Sequence, residues 1–404
     1  MEAIKIVDNI YRISANIETA DLFEGIWPIP DGVSLNSYLI TGEKTVMIDL
    51  MKDWDGAPIK MKDQLNSLDV SFDKIDYLVM NHMEPDHTGW LEEFIELNPG
   101  VIIYATKKAL PLIKEFYEVS ENLHAVESGE TLDIGKGLVL QFEETPNVHW
   151  PETMVTYEQS GGILFSCDAF GSFGSVKNAV FDDQLNEEEY RFFYDESLRY
   201  YANIVSTFST FVERAIKKLE GIPVKIVAPS HGVIFRKNPA DIIERYIKFA
   251  GYMNGPAEKE ITIILSSMYG NTEQLLEHVI KGIESENVPV NIHRIPREHV
   301  SYVLASAWKS AGLVFGMPTY EYRMFPPMAH VLDIFDRSHV WNKKVFRFGS
   351  FGWSGGAQKQ FDEMTKNLKW DCLGAVEFQG KPKDEHKKLA FERGKELAKQ
   401  IKGL

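Results

Sequence analysis

Asn81-His82-Met83-Glu84-Pro85-Asp86-His87-Thr88-Gly89 decides how this chain of 404 residues is read. It follows an apolar run at 75–80 that has the length and composition of a short buried strand. Two imidazoles and two carboxylates thus crowd onto one turn at a strand end, and Pro85 stiffens that turn. Side chains of this kind can point inward together and hold two metal ions. Three more donors stand at the ends of other apolar runs. His149 lies in Pro146-Asn147-Val148-His149-Trp150-Pro151, and Asp168 follows Ile163-Leu164-Phe165-Ser166-Cys167, where a carboxylate can bridge two metals. His231 follows Val224-Lys225-Ile226-Val227-Ala228-Pro229-Ser230. Four strand-end loops therefore contribute, as a binuclear site at one edge of a layered fold requires.

Around these loops, apolar runs at 34–40, 45–50, 101–104, 138–142, 154–157 and 163–166 read as strands. Thr41-Gly42-Glu43-Lys44 is a hairpin signal between the first two. Helical patterns lie at 90–97, 110–117 and across 187–219. Runs of strands with helices between them predict an α/β protein whose first half has two sheets sandwiched by helices. The seven donors resemble those of the metallo-β-lactamase superfamily, whose motif is usually H-x-H-x-D-H. Here Glu84 replaces the second His. Imidazole-rich sets suit zinc, whereas this mixture of four His and three carboxylates suits iron. Glu at this place marks the flavodiiron proteins within that superfamily, so the resemblance implies a pair of irons.

The second half carries a different signature. A strand-like run at 260–267 leads through Ser266-Ser267-Met268-Tyr269-Gly270-Asn271-Thr272-Glu273 into a helical pattern at 273–283. That loop resembles the flavodoxin phosphate loop. Backbone N–H groups and hydroxyls at a helix start can bind a phosphate dianion without a basic side chain. Two further strand-like runs, 313–317 and 345–350, are followed by Pro318-Thr319-Tyr320-Glu321-Tyr322 and Phe351-Gly352-Trp353-Ser354-Gly355-Gly356. In a flavodoxin-like doubly wound domain such loops lie beside the flavin, at the carboxyl ends of parallel strands. The resemblance implies an FMN site built from Ser267, Met268, Tyr269, Gly270, Asn271 and Thr272, then Pro318, Thr319, Tyr320 and Glu321, then Ser350, Phe351, Gly352, Trp353, Ser354 and Gly355. Tyr320 and Trp353 are the aromatic groups expected to pack on or near the ring.

Composition narrows the class. With 44% hydrophobic and 25% charged residues the chain can build sizeable cores. Two cysteines, Cys167 and Cys372, leave no disulfide framework, zinc ribbon or cysteine-ligated iron–sulfur cluster. The start has no charged-then-apolar leader pattern, and no apolar run approaches about 18 residues, so a cytoplasmic protein without membrane contact is expected. A net charge of −16 argues against nucleic acid as a partner. The charge is uneven: residues 1–255 carry 41 acidic and 22 basic side chains, residues 256–404 carry 18 and 21. The change falls in the Gly/Pro-containing stretch 251–258, which reads as a linker between domains 1–253 and 254–404.

Both signatures in this order resemble a two-domain flavodiiron protein over almost the whole chain, most of all the methanogen form that oxidises reduced coenzyme F(420). The resemblance implies an N-terminal αββα metallo-β-lactamase-like domain, a C-terminal flavodoxin-like domain, and no rubredoxin or flavin-reductase extension. It also implies the roles. One iron takes His82, Glu84 and His149, the other takes Asp86, His87 and His231, and Asp168 bridges them. Two electrons from the irons and two from reduced FMN take O2 to two waters, in defence of an anaerobe against oxygen. The donor is the reduced 5-deazaflavin, and the working unit is a head-to-tail homodimer that can assemble further into a tetramer. Reduction of NO with electrons from rubredoxin is the alternative within the family, and a zinc hydrolase fused to a flavin-binding domain is the alternative outside it. Tyr194 and Tyr200, in the helical stretch after Asp168, are candidates either for tuning O2 against NO or for helix packing. Some relatives carry a His near the start that borders the metals. This chain has none before His82, so another group near 23–27 is expected there.

Overall fold

The strand Val33–Thr41 is buried at every residue but its last, as expected with a second sheet on one side and helices on the other. It lies in the first of two compact units into which the computed structural model, describing residues 2–404, divides. The first unit runs up to Tyr201 and includes Thr210–Ile247; the second comprises Ala202–Ser209 and Lys248–Leu404. The expected boundary after Met253 falls just past the helix Pro239–Gly251, a few residues beyond this division.

Among the described residues, the larger sheet of the first unit has seven strands in the order Ile4–Val7, Ile10–Ile17, Val33–Thr41, Thr45–Ile48, Tyr77–Val79, Ile102–Thr106, Leu123–Val126. The second has five: Thr131–Asp133, Val139–Glu144, Met154–Glu158, Ile163–Cys167 and Ile226–Pro229. The two share one core that includes Ile40, Val46, Phe142, Phe165 and Ala228, and the rings of Tyr38 and Phe165 lie 4.8 Å apart. This is the expected αββα sandwich. It begins earlier than expected, with Ile4–Val7 and Ile10–Ile17 paired antiparallel.

The helical pattern at 187–219 is not one helix. Glu187–Tyr200 starts on a reciprocal cap, in which Asn186 accepts from Glu188 and Glu189 N–H and Glu189 accepts from Asn186 N–H. A second helix begins only at Ser209. Between them Ser206 Oγ donates to Ala202 O at 2.7 Å, and Ser209 Oγ to Ser206 O at 2.7 Å. Such hydroxyls compete with the helical ladder, a competition that apolar spacing does not register.

Among the described residues, the main sheet of the second unit has five strands, all parallel, in the order Val290–Arg294, Glu258–Leu265, Ser310–Gly316, Lys344–Phe351, Asp371–Gln379. The chain leaves Glu258–Leu265 to one side and then crosses to the other, which opens a crevice at the carboxyl ends of Glu258–Leu265 and Ser310–Gly316. Helices cover both faces. Val314 belongs to the core shared with Val279 and Ala390, while the next residue, Phe315, meets Phe335 and Phe361. The helices Leu276–Glu284 and Asp384–Lys402 approach so closely that a Cβ on Gly282 would lie 2.2 Å from Phe391 O. Among the described residues no helix is long and apolar enough to cross a membrane.

Lys343 gives this unit a testable pH dependence. Its ammonium is buried and donates to Trp308 O at 2.7 Å, near the end of the helix Val300–Lys309. Burial pushes its pKa down to about 7. Below that value the group is charged folded and unfolded, and burial of the charge is fully felt. Between about pH 7 and 10 only the unfolded chain holds the proton, so stability rises with pH, by at most about 1.4 kcal/mol per pH unit from this one group. Denaturant unfolding should therefore show the parent gaining stability on Lys343→Met as pH rises from about 7 to 10. Equal slopes in the two proteins would sink the assignment.

Candidate functional site

The decisive loop changes conformation halfway. Glu84 still has extended backbone (φ −64°, ψ 140°), and the short helix Pro85–Thr88 starts at once after it. Residues two apart in extended chain project to one side, which sends His82 and Glu84 together. The helical turn, with Pro at its first position, redirects Asp86 and His87. Asp49 anchors the start of the loop, accepting from Asn81 N–H at 2.8 Å and from its Nδ2 at 3.3 Å. Gly89 permits the turn to close, since a Cβ there would lie 2.5 Å from Pro85 O.

All seven sequence-predicted donors meet, in two groups. In one, His149 Nε2 lies 2.9 Å from Glu84 Oε2, and His82 Nε2 lies 3.4 Å from the same oxygen. In the other, His231 Nε2 is 3.2 Å from Asp86 Oδ2 and His87 Nε2 is 3.4 Å from Asp86 Oδ1. Asp168 belongs to both. Its Oδ2 is 3.3 Å from His82 and from His149; its Oδ1 is 2.9 Å from His87 and 3.1 Å from His231. Each group could hold a metal ion, and Cys167 lies close enough to His87 and Asp168 to form a third set.

The charges explain why a cation belongs here. Burial opposes ionisation of Asp168, yet the imidazoles around it hold its carboxyl well below the usual range. Burial likewise opposes a charged His149, but Asp168 and Glu84 raise it to about 10; Asp168 and Asp86 raise His231 to about 9. Several inward atoms have no hydrogen-bond partner although buried: His82 Nε2, His231 Nε2, both oxygens of Asp86, and Asp168 Oδ2. Unpaired buried polar atoms are costly. Imidazole nitrogens and carboxylate oxygens converging this way form the donor set of a binuclear metal site.

Further groups orient the donors, and the sequence reading missed them. Glu152 Oε1 accepts from Met83 N–H at 3.0 Å and lies 2.8 Å from His82 Nδ1, leaving His82 Nε2 inward. Its place three residues after His149, in His-Trp-Pro-Glu, was the available signal. His231 Nδ1 lies 3.0 Å from Ser34 O, while Asn36 Nδ2 and Tyr38 OH both donate to Pro229 O. The strand Val33–Thr41 thus holds the His231 loop. In place of an early His stand Phe23 and Glu24. The Phe23 ring meets His231 edge-on at 5.5 Å. Glu24 lies on a tight turn with φ positive at Glu24 and Gly25 (50° and 73°) and lines an open cleft of about 760 Å³ with Trp54, Glu84 and Asp86. Burial and Glu84 push its carboxyl up to about 7, and Trp27 Nε1 donates to it at 2.9 Å.

The two tyrosines separate. Tyr200 OH donates to Asp168 Oδ1 at 2.9 Å. Tyr194 does not join this group and instead stacks under Arg245, 4.9 Å from ring to guanidinium. Six residues along a helix turn a side chain about 120° away from its starting direction, so one face cannot carry both.

In the second unit, a cleft of about 250 Å³ opens at the predicted crevice. Its walls are Ser267, Met268, Tyr269 and Asn271, Pro318, Thr319, Tyr320 and Glu321, Ser350, Phe351, Gly352 and Trp353, together with Gly380, which the sequence reading did not include. Gly270, Thr272, Ser354 and Gly355 do not line it. Gly270 takes a φ of 87° and donates its N–H to Ser267 Oγ at 3.0 Å, so it shapes the loop. Thr272 is buried, with Oγ1 3.0 Å from Ser350 Oγ, and ties two walls together. Ser354 and Gly355 lie beyond Trp353, where Ser354 Oγ donates to Gly355 O at 3.4 Å. Tyr269 and Trp353 are 90% and 70% exposed, bare aromatic faces beside a crevice that a flat ring would cover. The cleft fits a flavin nucleotide.

Known proteins place both halves. Residues 33–232 match the ODP family beta lactamase model and residues 263–394 match the flavodoxin model. The anaerobic nitric oxide reductase flavorubredoxin of Escherichia coli K12 is 35% identical over 91% of this chain and 76% of its own length. The protein of the same name from Pectobacterium carotovorum is 33% identical over 98% of this chain and 78% of its own. Among solved structures, rubredoxin oxygen:oxidoreductase from Desulfovibrio gigas superposes with a TM-score of 0.92 at 26% identity, covering 100% of this chain and 99% of that one. The flavodiiron protein from Giardia intestinalis gives 0.93 at 25%, covering 100% and 97%. With a binuclear donor set in a β-lactamase-like unit and an aromatic cleft in a flavodoxin-like one, this chain belongs to the flavodiiron protein family.

Proposed function

We propose that this flavodiiron oxidoreductase reduces O2 by four electrons to two waters, with electrons from a reduced 5-deazaflavin entering through FMN. The observation that carries the reading is the shared carboxylate, Asp168, with one oxygen turned to each of two buried donor groups. When bound, a pair of irons and an FMN supply the redox chemistry, two electrons from each. His82, Glu84 and His149 would hold one iron, Asp86, His87 and His231 the other, and Asp168 both. Tyr200 donates to Asp168 Oδ1 and fixes the carboxylate's orientation. Phe23 and Phe173, with rings 5.4 Å apart, both pack against Tyr200, and Phe23 and Tyr200 meet the buried His231. Ser267, Asn271 and Ser350, the last tied to the phosphate loop by buried Thr272, would frame the phosphate end of the flavin cleft, and Tyr320 and Trp353 its ring end. The head-to-tail dimer, in which each flavin serves the partner's metals, belongs to the same proposal. The deazaflavin donor rests on the family resemblance and on the weak positive charge of residues 256–404.

NO reduction fed by rubredoxin is the second reading, favoured by the names of the relatives at 33–35% identity. Anaerobic stopped-flow mixing of reduced protein with O2 or NO separates the two. Parallel trials of reduced deazaflavin, NADH and reduced rubredoxin identify the donor. Faster turnover with NO, or with rubredoxin, would overturn the corresponding half of the proposal, and two bound zincs would overturn both.

Glu152 offers a test that leaves the seven donors intact. Glu152→Gln weakens the contact that turns His82 Nε2 inward, and loss of such a partner typically costs about 10- to 100-fold in metal affinity. A competitive chelator titration should show that loss at one of two metals. Unchanged retention would mean that packing alone orients His82.

A further inference from the structure

Beside the loops that carry His149 and Asp168, the first unit contains a small cavity walled by Val148, Ala169, Phe170, Val212, Ile216 and Tyr246. Measured to the centre of a water-sized sphere it has about 10 Å³, room for one such body. Val148 immediately precedes His149, and Ala169 and Phe170 immediately follow Asp168, so cavity and donor set share two loops. Phe170 has a φ of 71°, a left-handed backbone conformation that a bulky residue rarely adopts. Its ring is thereby set 4.9 Å from that of Tyr246. The next residue borders the donor residues, since a Cβ on Gly171 would lie 3.0 Å from Asp168 O and 3.4 Å from His231 Cβ. The Phe170–Gly171 turn is thus a thin partition between cavity and donor set.

The lining is almost without polar atoms. Tyr246 OH already donates to Gly171 O at 3.0 Å, and Thr145, which also lines the space, has a buried Oγ1 with no hydrogen-bond partner. An ordered water needs two to four partners, and this mostly apolar space, partly open past the half-buried Ala215, Ile216 and Leu219, offers few, so it favours an apolar guest. Its size admits a diatomic gas or a single noble-gas atom.

We propose that this cavity is a holding site for the gas substrate, an apolar diatomic that waits behind Phe170 before it reaches the metals. The inference rests on the gas-reduction reading above.

Two measurements test it. Crystals of the protein as purified, pressurised with krypton, should show an anomalous peak between Phe170, Val212 and Tyr246. Val212→Phe, with Val212→Ile as the milder filling, should remove that peak. In stopped flow, the filled variants should react with O2 or NO about three- to tenfold more slowly in the bimolecular step, with flavin reduction by the donor unchanged. Thermal unfolding close to the parent's confirms that a variant is folded. No krypton in the parent cavity overturns the site. Krypton seated there with unchanged gas rates in the variants overturns the holding role and leaves a packing void. A parent that seats krypton but reduces neither gas overturns the function proposed above instead, and the holding role with it.

Discussion

Replacing Asp168 by Ala should strip both metals from the first unit and abolish gas reduction while the second unit keeps its flavin. Among the described residues, no other donor reaches four imidazoles. Its two oxygens stand 2.9–3.3 Å from the Nε2 atoms of His82, His87, His149 and His231. The loss should exceed that for a residue that only orients a ligand, about 100-fold or more in metal affinity. Asp168→Asn keeps one oxygen acceptor and replaces the other with a donor, so it should retain one metal better than two. Metal analysis and the flavin absorption, measured on the same sample, decide the matter. Full iron in the Ala variant would remove Asp168 from the centre. Flavin lost in step with the metal would contradict two separate sites, since the cleft at Ser267–Trp353 shares no residue with the donor set.

That separation was legible in the sequence because each site announces itself in consecutive residues. His82, Glu84, Asp86 and His87 fall within six positions, and the phosphate-loop residues 266–273 are contiguous. Groups that work on other groups left a fainter mark, as Glu152 did three residues after His149, or none, as for Asp49. Glu152 and Asp49 act by receiving N–H bonds from the metal loop, a role defined only when distant strands pair. Asp49 itself is held up to about 6 by burial, which composition cannot convey. The tyrosines show the same limit from the other direction. Tyr194 and Tyr200 share a helix, and only the turn of that helix places one on Asp168 and the other under Arg245. Within the phosphate loop, residue type foretold polarity but not direction: Thr272 spends its hydroxyl on Ser350.

If FMN is the only entry for electrons, flavin-free protein should keep its metals yet fail to oxidise the reduced deazaflavin. A hydride carries two electrons at once. The flavin ring can accept both at one atom, whereas a single ferric ion takes one. The aromatic cleft of the second unit lies at the carboxyl ends of its parallel strands, and Tyr269 and Trp353 beside it are exposed, so a donor could reach a flavin held there. Removing FMN and adding it back should therefore abolish and restore steady turnover, a change limited only by the background rate. Chemically pre-reduced, flavin-free protein should still consume gas for part of one cycle, because the seven donors of the first unit are untouched. Steady oxidation of the deazaflavin without flavin would refute this route. Full activity in a dilute and demonstrably monomeric sample would refute the dimeric version of it, since no partner flavin would then be present to supply the electrons.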